Sequence, residues 1–295
     1  MKEIEAQIID IAAREIYSGR INIQEGRIAS IERCESTSKL FAMPGLIDAH
    51  VHIESSLTTP EYYGRLALRQ GIVATVSDPH ELGNVLGVAG VEFMLKSGLK
   101  SPIKHFFTIP SCVPATPFDC SGAVISSGDV ETLAASGRFC ALSEVMNVPG
   151  VLAQDPEMMA KLQSAKRHHL LIDGHAPLLS GEDLKTYASH GITTDHECSE
   201  LLEAQEKIAL GMKIHIREGS SAKVLHTLYP IIDQSPNQVM FCSDDSSASD
   251  LLGSVHVRQT VKASLELGCD FFHVLRAACI TPVEHYGLNV GQLRV

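Results

Sequence analysis

Two histidines, His50 and His52, stand two residues apart in the stretch MPGLIDAHVHIESS between Met43 and Ser56. A β-strand sends alternate side chains to one face, so both imidazoles of such a pair point the same way and can grip one metal ion. Asp48 is expected on their face and Ala49, Val51 and Ile53 on the other, with Pro44-Gly45 marking the turn into the strand. Taken alone, the pair is equally consistent with hydrogen-bonded core histidines. The acidic and histidine residues further along decide between the two.

From Met43 onward, short β-branched runs alternate with amphipathic helical segments at a loose period of roughly thirty residues, as in βα units. Eight such runs occur, over residues 45–53, 72–78, 103–109, 139–146, 170–175, 191–196, 212–218 and 238–245. Eight parallel strand–helix units predict a closed (β/α)8 TIM-like barrel, whose reactive groups gather at the C-terminal ends of the strands. The polar residues meet that demand. His50, His52 and Glu54 end the first run, Asp78 and His80 the second, Glu144 the fourth and His175 the fifth. His196 with Glu197, Arg217 with Glu218, and Asp244 with Asp245 end the last three.

Collected at one rim, His50, His52, Glu144, His175, His196 and Asp244 form a candidate ligand set of nitrogen and carboxylate without thiolate. That set suits Zn²⁺, Mn²⁺ or Fe²⁺, with Glu144 a candidate to bridge two ions. Coordination lowers the pKa of a bound water toward neutrality, and Asp244 could take its proton and deliver it to a leaving group. His215 alternates with Arg217 and is expected inside the barrel below the rim as a core residue. His105, His168, His169, His190, His226, His256, His273 and His285 read as structural or surface residues.

The 295-residue chain is 44% hydrophobic, ample for a large core. Its formal charge of −11, without a basic patch beyond Lys166, Arg167, His168 and His169 at a helix end, argues against nucleic-acid or anionic-membrane partners. The eight cysteines are scattered singly and read as small buried hydrophobes of a reducing compartment. The charged N-terminus is not a signal peptide, and no run is long enough to span a bilayer, so a cytoplasmic protein is expected. Rival motifs fail. His52-Ile53-Glu54 lacks the P-C-x-x-C of the Cys-ligated zinc deaminases, His80-Glu81 lacks the second histidine of H-E-x-x-H, and no phosphate loop occurs.

Ahead of the barrel, Ile4 to Arg33 carry β-like runs expected to break at Ser18-Gly19 and Glu25-Gly26, and Cys34 to Leu40 is polar and linker-like. The predicted division is therefore a small N-terminal β-subdomain, a partial β-sandwich over residues 1–42, and the barrel over residues 43–295. Helices are expected over Val255 to Leu267 and Phe272 to Tyr286, the second ended by Thr281-Pro282 or by Gly287.

PGLIDAHVHIESS resembles the metal-binding opening of the amidohydrolase superfamily. The segments SDPHELGNVLG, IPSCVPATPFDCSGA, LSEVMNVPGV, DGHAPLLSGEDL, TDHECS, IREGSSAKVL and CSDDSS resemble the adenine deaminase family within it. The resemblance implies hydrolytic deamination of adenine to hypoxanthine and ammonia, as in purine salvage, at a centre of two divalent ions, Mn²⁺ or Fe²⁺ with Zn²⁺ an alternative. It makes His50, His52, His175 and His196 metal ligands, Glu144 the bridging carboxylate, and Asp244 ligand and proton carrier. Asp78, His80 and Glu81 are implied near the site, His80 among the catalytic candidates, and Ser111, Arg217, Glu218 and Ser220 in the substrate pocket. A modified purine or a cyclic amide is the alternative substrate. Family members continue past YGLNVGQLRV, so a catalytically silent chain that needs a partner, or a homo-oligomer, is also an expectation.

Overall fold

The structure is a computed structural model that describes residues 2–116, 118–253, 256–290 and 292–295. The N-terminal sheet is built from β1 (Lys2–Asp10), β2 (Glu15–Gln24), β3 (Arg27–Arg33) and the short β4 (Phe41–Ala42), in the order β3-β2-β1-β4. Glu25 (φ 51°) and Gly26 (φ 77°) form the expected two-residue hairpin turn between β2 and β3, where both central residues need a left-handed backbone. The expected break at Ser18-Gly19 is not a turn. Gly19 lies in the middle of β2 opposite Ala6, where a Cβ would come within 2.3 Å of Ile8 Cδ1, so this glycine serves close packing between neighbouring strands.

Among the described residues ten further strand segments follow: β5 (Leu46–His52), β6 (Ile72–Ser77), β7 (Lys104–Phe107), β8 (Ile109–Pro110), β9 (Ala141–Val145), β10 (Leu171–Gly174), β11 (Thr194–Asp195), β12 (Lys213–Arg217), β13 (Val239–Cys242) and β14 (Asp244–Asp245). β7 and β8 are one strand interrupted at Thr108, and β13 and β14 one strand interrupted at Ser243, so the ten segments make eight strands. All neighbours are parallel. β14-β5-β6-β7, β8-β9-β10 and β11-β12-β13 form ladders, and an Ile172–Ile192 bridge joins β10 to the chain entering β11. Because β8 continues β7 and β14 continues β13, the ring closes into the predicted barrel.

Helices pack outside. Their inward stripes, including Tyr63, Val91, Val130, Leu162, Leu184 and Ala204, share one large apolar cluster with strand residues such as Val51, Ile109 and Ile214. The last helical stretch runs from Phe271 through a π-helical turn at Arg276–Ile280 into Thr281–Tyr286. Pro282 lies in its final helix's first turn, where its missing N–H costs nothing, and Gly287 (φ 63°) ends it. The preceding helix is Val257–Glu266; its expected first residue, Val255, lies outside the described residues.

β5 departs from strict alternation. Its pairing with β6 slips between Asp48 and Val51, a bulge that adds a residue to β5. Ala49 therefore packs with Ile47, Val76, Met240 and Tyr286, whereas Val51 and Ile53 join the helix-facing cluster around Tyr63. Asp48 does not share the histidines' face as expected. It sits beside Tyr63 and accepts from Ser243 N at 3.0 Å, tying β5 to the residue before Asp244.

Candidate metal centre

β5 carries His50 and His52 in its last turn of ladder, and β9 carries Glu144 one residue from its end. His175 and His196 follow β10 and β11 directly, and Asp244 opens β14. The short parallel strands, buried on both faces, end at one level, so these side chains meet at the barrel's C-terminal mouth. Asp244 reaches it from a left-handed backbone (φ 52°), a conformation that Asp tolerates better than most residues.

The Glu144 carboxylate divides the cluster. Its Oε1 lies 2.9 Å from His52 Nε2 and 3.5 Å from His50 Nε2. Its Oε2 lies 2.6 Å from His175 Nδ1 and 2.9 Å from His196 Nε2. Asp244 Oδ1 completes the first side, 3.1 Å from His52 Nε2 and 3.5 Å from His50 Nε2. His52 Nδ1 lies 3.0 Å from the Asp78 carbonyl, which can only accept, so Nδ1 holds a proton and Nε2 is the atom turned inward, free to ligate once deprotonated.

The donor set fits divalent cations. Ligand atoms of His50, His196 and Asp244, of Glu144, His175 and His196, and of His52, Asp78, His80 and Glu144 each lie within 4.8 Å of one another. Nε2 of His50 and Nε2 of His52 are 3.2 Å apart, too close for two N–H groups aimed at one spot. Burial opposes charge on His50, but Glu144 and Asp244 outweigh it and hold the imidazole up at about 10. His52 is raised likewise, burial again being overcome by Asp244 and Glu144. Glu144 in turn is held well below the usual carboxylate range, with His196 and His50 outweighing its burial. Buried acids and imidazoles thus converge where positive charge is favoured, a charge that a bound cation would supply in place of protons on the rings.

The other expected residues are spread around this cluster. His80 Nδ1 lies 3.1 Å from Asp78 Oδ2 and 3.6 Å from Glu144 Oε1, its ring edge-on to His52, while Glu81 accepts from Ser55 at 3.1 Å. Arg217, expected in the substrate pocket, spends its guanidinium on Asp244 Oδ2 (2.7 Å) and on both Glu197 oxygens. Ser111, unlike Arg217, touches no candidate ligand side chain. It is fully buried, its hydroxyl donating to the Glu144 carbonyl at 2.5 Å, which braces the end of β9. Glu218 accepts from Leu225 N at 2.8 Å, and Ser220 Oγ donates to Asp250. His215 is buried below the ring, its centroid 6.3 Å from that of His50, and burial holds it neutral, well below the usual imidazole range. Glu197 was not singled out as a site residue, although it follows His196 at a strand end; its Oε1 lies 3.5 Å from His196 Nε2.

Residues 41–295 match the amidohydrolase family. The chain belongs to the amidohydrolase family. Among curated relatives, this amidohydrolase is 51% identical over 294 residues to the adenine deaminase of Methanosarcina mazei, covering 100% of the chain and 53% of the relative. It is 47% identical to that of Salinibacter ruber and 44% identical to that of Borreliella burgdorferi, covering 99% of the chain and 53% and 54% of those relatives. The chain thus spans about half the length of the curated relatives it matches. Among solved structures it shares its fold with a β-aspartyl dipeptidase from Fervidobacterium islandicum (TM-score 0.67, 17% identity, 98% of this chain and 88% of that one). An N-acetyl-D-glucosamine-6-phosphate deacetylase from Mycobacterium smegmatis is similar in fold (TM-score 0.65, 14% identity, 98% and 91% covered). Among the described residues, no helix is long and apolar enough to cross a membrane.

Proposed function

We propose that this amidohydrolase is the catalytic barrel of an adenine deaminase, converting adenine and water to hypoxanthine and ammonia in purine salvage. The observation that carries the proposal is the shared carboxylate: Glu144 turns Oε1 to the His50–His52 pair and Oε2 to the His175–His196 pair. Two divalent ions, Mn²⁺ or Fe²⁺, would be held by His50, His52 and Asp244 on one side and His175 and His196 on the other, with Glu144 between them. Bound there, they supply Lewis acidity that makes a nucleophile of water at neutral pH.

The chain's own groups do the rest. Asp244 takes the proton of the attacking water and passes it to the departing amine, so that the C–N bond breaks to release ammonia. Arg217 holds Asp244 through the oxygen that does not face the histidines, at 2.7 Å, fixing the carboxylate's orientation. His80, paired with Asp78 and 3.6 Å from Glu144, stands where it can orient the nucleophile. The adenine assignment rests on the relatives, 43–51% identical across nearly the whole chain and named for that reaction. Glu218 and Ser220, on the loop after β12, are proposed to border the purine. Residues 1–42 form the small β-subdomain and residues 43–295 the barrel. A cytoplasmic site suits the eight cysteines, all free among the described residues.

A panel of adenine, modified adenines and cyclic amides offered to the metal-loaded chain tests the assignment. Ammonia release from adenine ahead of the others is expected. Turnover of a cyclic amide with none of adenine would replace adenine as the substrate.

A further inference from the structure

Behind His175 and His196 lies a buried ionic cluster that the proposed reaction does not use. The helix Leu201–Ala209 turns Glu203, Ala204 and Lys207 inward. Lys207 is fully buried, and its three ammonium protons are spent on Asp195 Oδ2 (2.6 Å), Glu203 Oε1 (2.7 Å) and the carbonyl of Ala176 (2.6 Å). The acids carry the grip further: Asp195 Oδ1 accepts from Ala176 N at 3.0 Å, Glu203 Oε1 from Leu178 N at 2.7 Å and Glu203 Oε2 from Ser199 N at 3.1 Å. Asp195, Cys198 and Glu203 have the spacing of a cation site, and the Lys207 ammonium already fills it.

Apart from Glu203, which shares the helix with Lys207, the groups this cluster holds, at Ala176, Leu178, Asp195 and Ser199, are within three residues of His175 or His196. Ala176 follows the one and Asp195 precedes the other. The position matters because these two histidines lie beyond the last residues of β10 and β11, and β11 is only two residues long. His50 and His52, by contrast, sit within β5, laddered to β6 on one side and β14 on the other. One half of the ring lies within a paired strand; the other lies one residue past the pairing of Gly174 with Val145 and of Asp195 with Ile214, and the ionic cluster holds the chain there. A buried ion pair gives little net stability over an apolar replacement, whereas this one fixes backbone groups of Ala176, Leu178 and Ser199 beside the two histidines.

We propose that Lys207 is the positioning residue for the His175–His196 half of the metal centre, holding both histidines at the spacing that the second ion requires. This rests on the two-ion reading above. The test is Mn²⁺ binding to the metal-stripped chain, followed by equilibrium dialysis and by electron paramagnetic resonance, which distinguishes a coupled pair from an isolated ion. The wild type is expected to bind two coupled ions. Lys207→Met should keep the ion on the His50–His52 side, bind the second about 10- to 100-fold more weakly, and give the isolated-ion spectrum. Lys207→Met/Glu203→Gln, which leaves one fewer unpaired buried acid, should do the same. Two tight, coupled ions in either folded variant would overturn the proposal, as would failure of both variants to fold, which would assign Lys207 to the stability of the whole barrel. A wild type that never binds a second ion would instead overturn the two-ion reading, and this proposal with it.

Discussion

Glu144 and His196 meet at 2.9 Å through Oε2, while the other oxygen of the same carboxylate lies equally near His52 on the opposite side. One buried acid is thereby shared by imidazoles from three different strand ends, and an amide could not replace it, because its nitrogen carries protons where lone pairs are needed. Glu144→Gln should lose paired binding of the two ions and reduce turnover at least about 100-fold, more than outer partners of metal ligands usually cost. Metal analysis of the purified, folded variant decides it. Two retained ions with full turnover would remove Glu144 from the bridging role.

Asp244 carries a different share. Asp244→Asn keeps an oxygen for an ion but cannot take a proton, so it should retain most of the metal while kcat falls about 10²- to 10⁴-fold. Unchanged turnover would count against the proton-carrier role.

Arg217→Met would leave Asp244 and Glu197 without their shared cation. Removing one partner of a buried pair typically costs about 3–5 kcal/mol, and Arg217 is mostly buried, so the lower end is expected in chemical denaturation. If Arg217 binds substrate alone, KM would rise with stability unchanged.

Gly219 passes so close to the strand break that an added Cβ would lie 2.1 Å from the Ser243 carbonyl oxygen and 2.7 Å from that of Asp245. Both contacts are backbone, flanking Asp244, so Gly219→Ala should displace that residue. Turnover should fall by at least about tenfold, the size of loss that a small misplacement of catalytic groups produces. Full activity in Gly219→Ala would mean that the segment yields without moving Asp244.

Away from the centre, His105 Nε2 donates to the Pro60 carbonyl (3.0 Å) and its Nδ1 accepts from Thr75 (2.7 Å), an arrangement that requires the neutral ring. Burial pushes its pKa down to about 4. Because the unfolded ring protonates first, this site leaves stability unaffected above its ordinary pKa of 6.5, lowers it as pH falls below that value, and completes its effect below about 4. Urea midpoints of the wild type and of His105→Gln, compared from pH 7 to pH 4, should converge as the pH falls. Parallel curves would contradict the neutral-ring arrangement.

Much of this architecture was legible before any coordinates. Eight β-branched runs, seven of them ending in His or acid, mark a barrel because parallel strands are buried on both faces, which leaves polar side chains mainly at their ends. The alternation rule failed within β5, since the bulge between Asp48 and Val51 has no compositional mark: it depends on pairing with β6. Gly19 misled for a related reason, a glycine needed for packing against Ile8 being indistinguishable in sequence from one needed for a turn. Arg217 was visible as a strand-end residue, but its partners were not, because Glu197 and Asp244 are brought to it by different strands. Glu203 and Lys207 stand four apart in ELLEAQEKIAL, the spacing of an ordinary exposed helical pair, and nothing local reveals that this face of the helix is buried.

The proposed adenine deamination requires two ions shared through Glu144. Metal-stripped chain should be titrated with Mn²⁺ while ammonia release from adenine is followed. Activity should be absent without metal, remain low at one equivalent and rise as the second binds. Full activity at one equivalent, or no ammonia from a folded chain holding two ions, would contradict it.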